Sequence, residues 1–200
     1  RSTGFKKFVQ NVTYIPHFLS VLVLVGMLKS FTNSDYGIVN IVIRAMGGEG
    51  QNWMQNASLF RPLYVGSAVW QNMGWDAIIY IAALAGIDPG LHEAAMIDGA
   101  NRLQRIWHIN IPGILPTMVI LLILNAGNIM NVGFEKIFLM QNDLNMNVSD
   151  VISTYAYRIG IESAQYSLST TISLFNSVIN CILLFIVNAF ARKLSDTSLW

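Results

Sequence analysis

LHEAAMIDGANRLQRIWHINIPG, residues 91–113, is a charged interruption between two long apolar runs. Just before it, Asp88 and Pro89 form a helix start: Asp accepts from a free backbone N–H, and Pro at the first helical position loses no hydrogen bond. The helix should run to about Asp98 and stop at Gly99, which tolerates the left-handed conformation that ends many helices. Asn101 is placed to cap a second short helix, expected to end before Pro112 because proline disfavours helix at the residue before it. The reading is therefore helix, tight turn, helix. One side is apolar, with Leu91, Ala94, Ala95, Ile97, Ile106 and Trp107; Glu93 and Asp98 stand beside it, and Asp98 is within reach of Arg102 across the turn.

What flanks this hairpin sets the fold class. Of 200 residues, 54% are hydrophobic and 12% charged, about half the charge of an ordinary soluble domain. A bilayer core of ~30 Å takes about 20 helical residues. Four segments approach that length: 12–28, 63–87, 113–130 and 172–191. Four such helices in so short a chain leave too little polar surface to dissolve them. The expected fold is thus all-α, a polytopic transmembrane helical bundle in one domain. A net charge of +1 gives no reason to expect nucleic acid. Cys181 reads as a small buried apolar residue of the last span.

Lys and Arg set orientation. Arg1, Lys6, Lys7, Arg102, Arg105, Arg192 and Lys193 fall on one side, dense and close to the spans. Lys29, Arg44, Arg61, Lys136 and Arg158 are spread over longer loops on the other. The first side is taken as cytoplasmic, which places the loop 88–112 in the cytoplasm and segments 32–60 and 131–168 outside. Residues 150–161 carry apolar and aromatic residues at helical spacing, as an interfacial helix would. The chain begins at Arg1 without a signal peptide, and an N-terminal truncation is expected.

Inside the spans, polar side chains should face protein or water. Gln71, Asn72, Trp75 and Asp76 form one such group. Asn125, Asn128 and Asn131 recur every three residues; Ser169, Ser173, Asn176 and Asn180 recur at four, three and four, on a single helix face. Amides suit sugar hydroxyls because they donate and accept, but they also hold helices together in lipid. Both roles stay open, as does a structural pairing for Asp76. No nucleophile–base set and no metal-ligand spacing is legible, and no G-x-x-x-x-G-K-[ST] phosphate loop is present.

The run EAAMIDGANRLQRIWHINIP, 93–112, closely resembles the EAA loop of permease subunits of binding-protein-dependent ABC importers. That pattern is Glu-Ala-Ala, three residues, Gly, nine residues, then I-x-L-P. It falls here on Glu93, Ala94, Ala95, Gly99, Ile109 and Pro112, with Asp98, Gly99 and Ala100 as the sugar-importer form DGA. Ile111 stands where Leu is usual and Ile106 where an aromatic residue often sits; both keep apolar character. YIPHFLS (14–20), GWDAIIYIAALAGIDPGLHEAA (74–95), VGFEKIFLM (132–140) and the closing SLW (198–200) also resemble the carbohydrate-uptake branch, polysaccharide or lipoprotein type.

The resemblance implies a MetI-like permease whose hairpin is a cytoplasmic coupling loop. It implies about two further N-terminal spans, a location in the bacterial cytoplasmic membrane, and import of a carbohydrate by alternating access. It implies no cofactor in this chain, with ATP and magnesium held by a cytoplasmic ABC ATPase dimer. A second permease subunit, an extracellular or periplasmic sugar-binding protein, the carbohydrate and membrane lipid complete the implied partners. An ion-gradient-driven transporter or channel, and a membrane scaffold without transport, are the alternative readings of the same spans.

Overall fold

The computed structural model describes residues 3–194. Arg1, the Lys193 side chain and the tripeptide 198–200 lie outside the described residues. Among those residues the regular structure is helical, with no strand. Helix α1 spans Thr3–Tyr14, α2 Val21–Phe31, α3 Ile38–Ala45 and α4 Ala57–Ala85. The hairpin follows as α5, Pro89–Ile97, and α6, Arg102–Arg105; then come α7, Ile111–Ala126, α8, Phe134–Met140, α9, Met146–Ser149, α10, Ile152–Tyr157, and α11, Tyr166–Leu194. Contacts divide the chain into two compact units, residues 1–74 with 131–175 and residues 75–130 with 176–200.

Two of the expected apolar rods differ from the sequence reading. Segment 12–28 is not one helix. The chain makes a 3-10 turn at Ile15–Phe18, and the helical runs Gly4–Phe18 and Val21–Phe31 are bent by 102°. Pro16 supplies no N–H and disfavours helix at Ile15; Ser20 then restarts the helix by accepting from the Val23 N–H. The break frees the Leu19 carbonyl, and the Gln71 amide donates to it at 2.9 Å. Segment 63–87 is covered by α4 only to Ala85, and α4 begins earlier because the Asn56 side chain accepts from the Ser58 N–H. Among the described residues, two helical runs are long and apolar enough to cross a membrane, Arg102–Ala126 and Tyr166–Arg192, or three if the bent pair counts as one crossing.

In the first unit, α1 passes so close to α4 that a Cβ on Gly74 would collide with the Thr13 carbonyl. Val25, Phe60, Ile137 and Met140 form a core joining α2, α4 and α8. Lys136, 7% exposed, donates to the Tyr64 carbonyl at 3.1 Å and lies over the Tyr64 ring. Two fully buried amides organise the irregular segments. Asn40 donates to the Asn33 and Gln51 carbonyls and accepts from the Gln51 N–H and the Trp53 indole N–H. Asn145 donates to the Met54 and Met140 carbonyls and accepts from Ser149 Oγ; its Oδ1 also accepts from the Asn142 N–H. Within 150–161, residues 152–161 form α10 and the first part of a π-helical turn, Arg158–Glu162, anchored by an ion pair between Asp150 and Arg158.

In the second unit, Val119 and Ile123 of α7 pack on Ala191 of α11, with Leu184 and Val187 beside them. Asn180, 8% exposed, accepts from the Met130 N–H where α7 has ended. Cys181, expected buried, is exposed on α11: it lies one residue past Asn180, turned about 100° from the buried face.

Asn145→Ala should lower the unfolding free energy by about 2–3 kcal/mol, because its carbonyl and N–H partners lose their bonds together; denaturant unfolding of the purified protein in detergent measures this. Burial pushes the Asp150 carboxyl up, but hydrogen bonds from Arg158 and Thr154 outweigh it and hold the group below the usual carboxylate range. A depressed folded value means the ion pair stabilises fully above the unfolded value and is lost as pH falls through the folded one. Hydrogen exchange in 150–162 should therefore accelerate on acidification below about pH 4, and Asp150→Asn should remove that pH dependence.

Candidate coupling hairpin and polar spans

The hairpin is built from its caps. The Asp88 carboxylate accepts from the Gly90 N–H at 2.9 Å, and Pro89 opens α5. At the other end, the Gly99 N–H donates to the Met96 carbonyl and the Ala100 N–H to the Ala95 carbonyl, at 3.1 and 2.8 Å. This paired closure, with the residue after the cap in left-handed geometry, is the Schellman motif. Gly99 has φ +78°, and an added Cβ would meet nothing within 4 Å. Glycine is thus required by the backbone conformation rather than by space.

Asn101 starts α6 in a reciprocal box. Its Oδ1 accepts from the Gln104 N–H at 2.9 Å, and Gln104 Oε1 accepts from the Asn101 N–H at 2.7 Å. Gln104 was missed in the sequence reading, although an Asn followed three residues later by Gln is the signal for such a box. Two expectations for the hairpin are corrected. No Asp98–Arg102 ion pair forms among the described residues. Nor does the second helix end before Pro112. It continues through a π-helical turn, Ile106–Asn110, in which the Ile111 N–H reaches back to the Ile106 carbonyl, and runs on as α7. The wider turn lets proline enter where the ordinary i→i−4 ladder is already interrupted.

Ala95, Asp98, Gly99, Ala100 and Ile109 line one concavity of about 300 Å³, together with Gln104, Arg105 and His108. Arg105 Nε is buried there without an acceptor. Glu93, Ala94 and Pro112 are exposed and stand outside this lining. Around it the apolar residues face outward: Ile97 is 86% exposed, Leu103 67%, Trp107 65% and Leu91 53%. So much apolar side chain on a hairpin of this size marks a surface made to be covered.

The polar residues of the spans separate into two groups. Gln71 is committed to the Leu19 carbonyl, Asn72 to His17 Nδ1 at 3.1 Å and to the Ala68 carbonyl, and Asn180 to the Met130 N–H. These amides close gaps in the backbone or join elements. Trp75, Asp76, Asn125, Asn128 and Ser173 are exposed, and Asn176 is half-buried. No group of three or more His, Cys, Asp or Glu side chains that could hold a metal occurs among the described residues.

The profile of a family described as binding-protein-dependent transport system inner membrane component matches residues 3–196. Protein LplB of Bacillus subtilis (strain 168) is 40% identical over 200 residues, covering all of this chain and 63% of that protein. The polygalacturonan/rhamnogalacturonan transport system permease protein YteP of the same organism is 40% identical over 196 residues, 98% of this chain and 61% of its own length. The chain thus spans somewhat over three-fifths of these relatives. A solved structure of a bacterial alginate ABC transporter, in complex with alginate pentasaccharide-bound periplasmic protein, includes a chain that superposes with TM-score 0.96 at 36% identity, covering 100% of this chain and 69% of that one.

Gly99→Val should cost about 1–2 kcal/mol in hairpin stability through backbone strain alone, and Gly99→Asn far less, since asparagine tolerates the left-handed region. Amide exchange at Ala100, whose N–H closes the Schellman turn, reports the difference.

Proposed function

This chain belongs to the family of binding-protein-dependent transport system inner membrane components, and from that premise we propose that it is the membrane-spanning subunit of an ATP-driven importer of oligo- or polysaccharide. The observation that carries the reading is the hairpin. It presents outward-facing Ile97, Leu103 and Trp107 around a concavity lined by the family's own motif residues, with the Arg105 Nε donor unmet. A short amphipathic helix laid against a groove of a second protein is a recognised docking mode. Similar proteins include a polygalacturonan/rhamnogalacturonan transport permease and an alginate ABC transporter, which supports a carbohydrate cargo.

In the proposed mechanism, an ATPase dimer in the cytoplasm grips the 88–112 hairpin. ATP and magnesium are bound by that partner, and this chain has no active site of its own. The rigid continuation from α6 through the π turn into α7 carries displacement of the hairpin to the spans. The spans, with those of a second permease subunit, then open alternately to a sugar-binding protein outside and to the cytoplasm. Hairpin and basic clusters lie on the inner side of the bacterial cytoplasmic membrane, with segments 32–60 and 131–168 outside. Glu93 contributes a polar contact to the ATPase; Ala94 and Ala95 allow close approach; Gly99 makes the turn. Asp76, Trp75, Asn125, Asn128, Ser173 and Asn176 are the candidates for the path. Gln71, Asn72 and Asn180 serve the fold through the bonds described above.

Glu93→Lys should reduce both sugar uptake and binding-protein-stimulated ATPase activity by about tenfold or more, consistent with loss of a charged hydrogen bond, while the protein still reaches the membrane. Proteoliposomes holding the full transporter provide both readouts. Uptake unchanged in this variant would remove Glu93 from the coupling contact, and uptake that persists without any ATPase would remove the importer reading itself.

A further inference from the structure

The first unit holds a second polar concavity that the coupling hairpin and the spans do not use. It measures about 410 Å³ and is lined by Lys29, Asn33, Asn52, Gln55, Asn142 and Asp143. It lies where α2 ends and before α4 begins, whereas the hairpin follows the other end of α4. We propose that this cleft is a carbohydrate-binding site on the outer side, taking one or two sugar units of an oligosaccharide. This rests on the importer reading and on its orientation.

The lining separates into a frame and a face. Asn142 is frame: its amide donates to the Met54 carbonyl at 2.9 Å, and its Oδ1 accepts from the Leu144 and Asn145 N–H groups. Asn33 Oδ1 likewise accepts from the Asp35 N–H at 2.8 Å. The buried Asn40 and Asn145 amides lock the 33–53 and 140–149 segments behind them. The walls are therefore set before any ligand arrives, which removes part of the ordering cost of binding.

Lys29, Asn52, Gln55 and Asp143 are the face. No hydrogen bond or ion pair engages their side chains among the described residues. Together they offer an ammonium, two amides and a carboxylate, donors and acceptors interspersed. That set matches vicinal hydroxyls, each of which donates and accepts. Leu144, 63% exposed, and Met54 line the same cleft and present apolar surface to a sugar's C–H face. The volume falls within the range of about 300–1,000 Å³ usual for small-molecule sites. The charges of Lys29 and Asp143 cancel, so the cleft selects hydroxyls rather than net charge, and neutral and acidic oligosaccharides compete for it.

The test uses the assembled transporter in nanodiscs without its binding protein. Fluorophore-labelled galacturonan trisaccharide and arabinotriose are the probes, read by equilibrium dialysis. Both should bind and displace each other. The double variant Asn52→Ala/Gln55→Ala, and separately Asp143→Asn, should each weaken binding by about tenfold. Absence of probe binding to the parent transporter, or unchanged binding in the double variant, overturns the proposal. So does a double variant that keeps its sugar but loses sugar-free binding protein in co-sedimentation, since the cleft is then a protein-docking surface. Uptake by parent proteoliposomes with all partners is scored separately, so failure of the cleft and failure of the importer reading are distinguished.

Discussion

Wherever a helix of this chain stops, its freed backbone groups need a partner, and close to lipid water cannot be relied on to supply one. An unsatisfied N–H or carbonyl in hydrocarbon costs several kcal/mol. The break at Ile15–Phe18 is tolerable because Gln71 takes the Leu19 carbonyl. The end of α7 is met by Asn180 on the Met130 N–H. Asn40 and Asn145 do the same for whole segments, each serving several backbone groups from a fully buried position. Apolar contact between helices offers little drive in a bilayer, so these amides and the close approach at Gly74 carry much of the specificity.

The hairpin follows the same rule. The family motif translates into geometry: in the Schellman closure the Ala95 carbonyl accepts from the Ala100 N–H and the Gly99 N–H donates to the Met96 carbonyl. Asp88 and Asn101 begin the two helices. Because both termini are closed from within, the outward surface is free for a partner, and it is there that Ile97, Leu103 and Trp107 stand exposed. The π turn at Ile106–Asn110 then continues the backbone from this surface into α7.

Much of this was legible in the residues. The caps at Asp88, Gly99 and Asn101 follow from local chemistry that acts within four residues, and the structure forms all three. Long apolar runs likewise announced helices, because a backbone in lipid has few alternatives. The sequence was less informative where two local signals competed. Pro16 and Ser20 inside an apolar run argue for a break, and the run argues for a rod; the break prevailed because a partner for the freed carbonyl lies 52 residues away on α4. Pro112 argued for a helix end, and a π turn absorbed it instead. Asp98 and Arg102 are close in sequence, but a solvent-exposed pair gains too little to hold two side chains together.

What the sequence by itself determined is the class of the molecule and the form of its hairpin: an all-helical membrane chain, interrupted by a capped charged hairpin whose turn requires glycine. Those properties depend on composition and on bonds between near neighbours. The roles of the asparagines and glutamines were decided only by the tertiary structure. Amides alike in sequence became backbone clasps at Gln71, Asn145 and Asn180, while Asn52, Gln55 and Asn125 stayed exposed. The reason is physical: an amide's side chain donates and accepts equally well to any partner, so its role is set by which backbone groups the fold brings within reach.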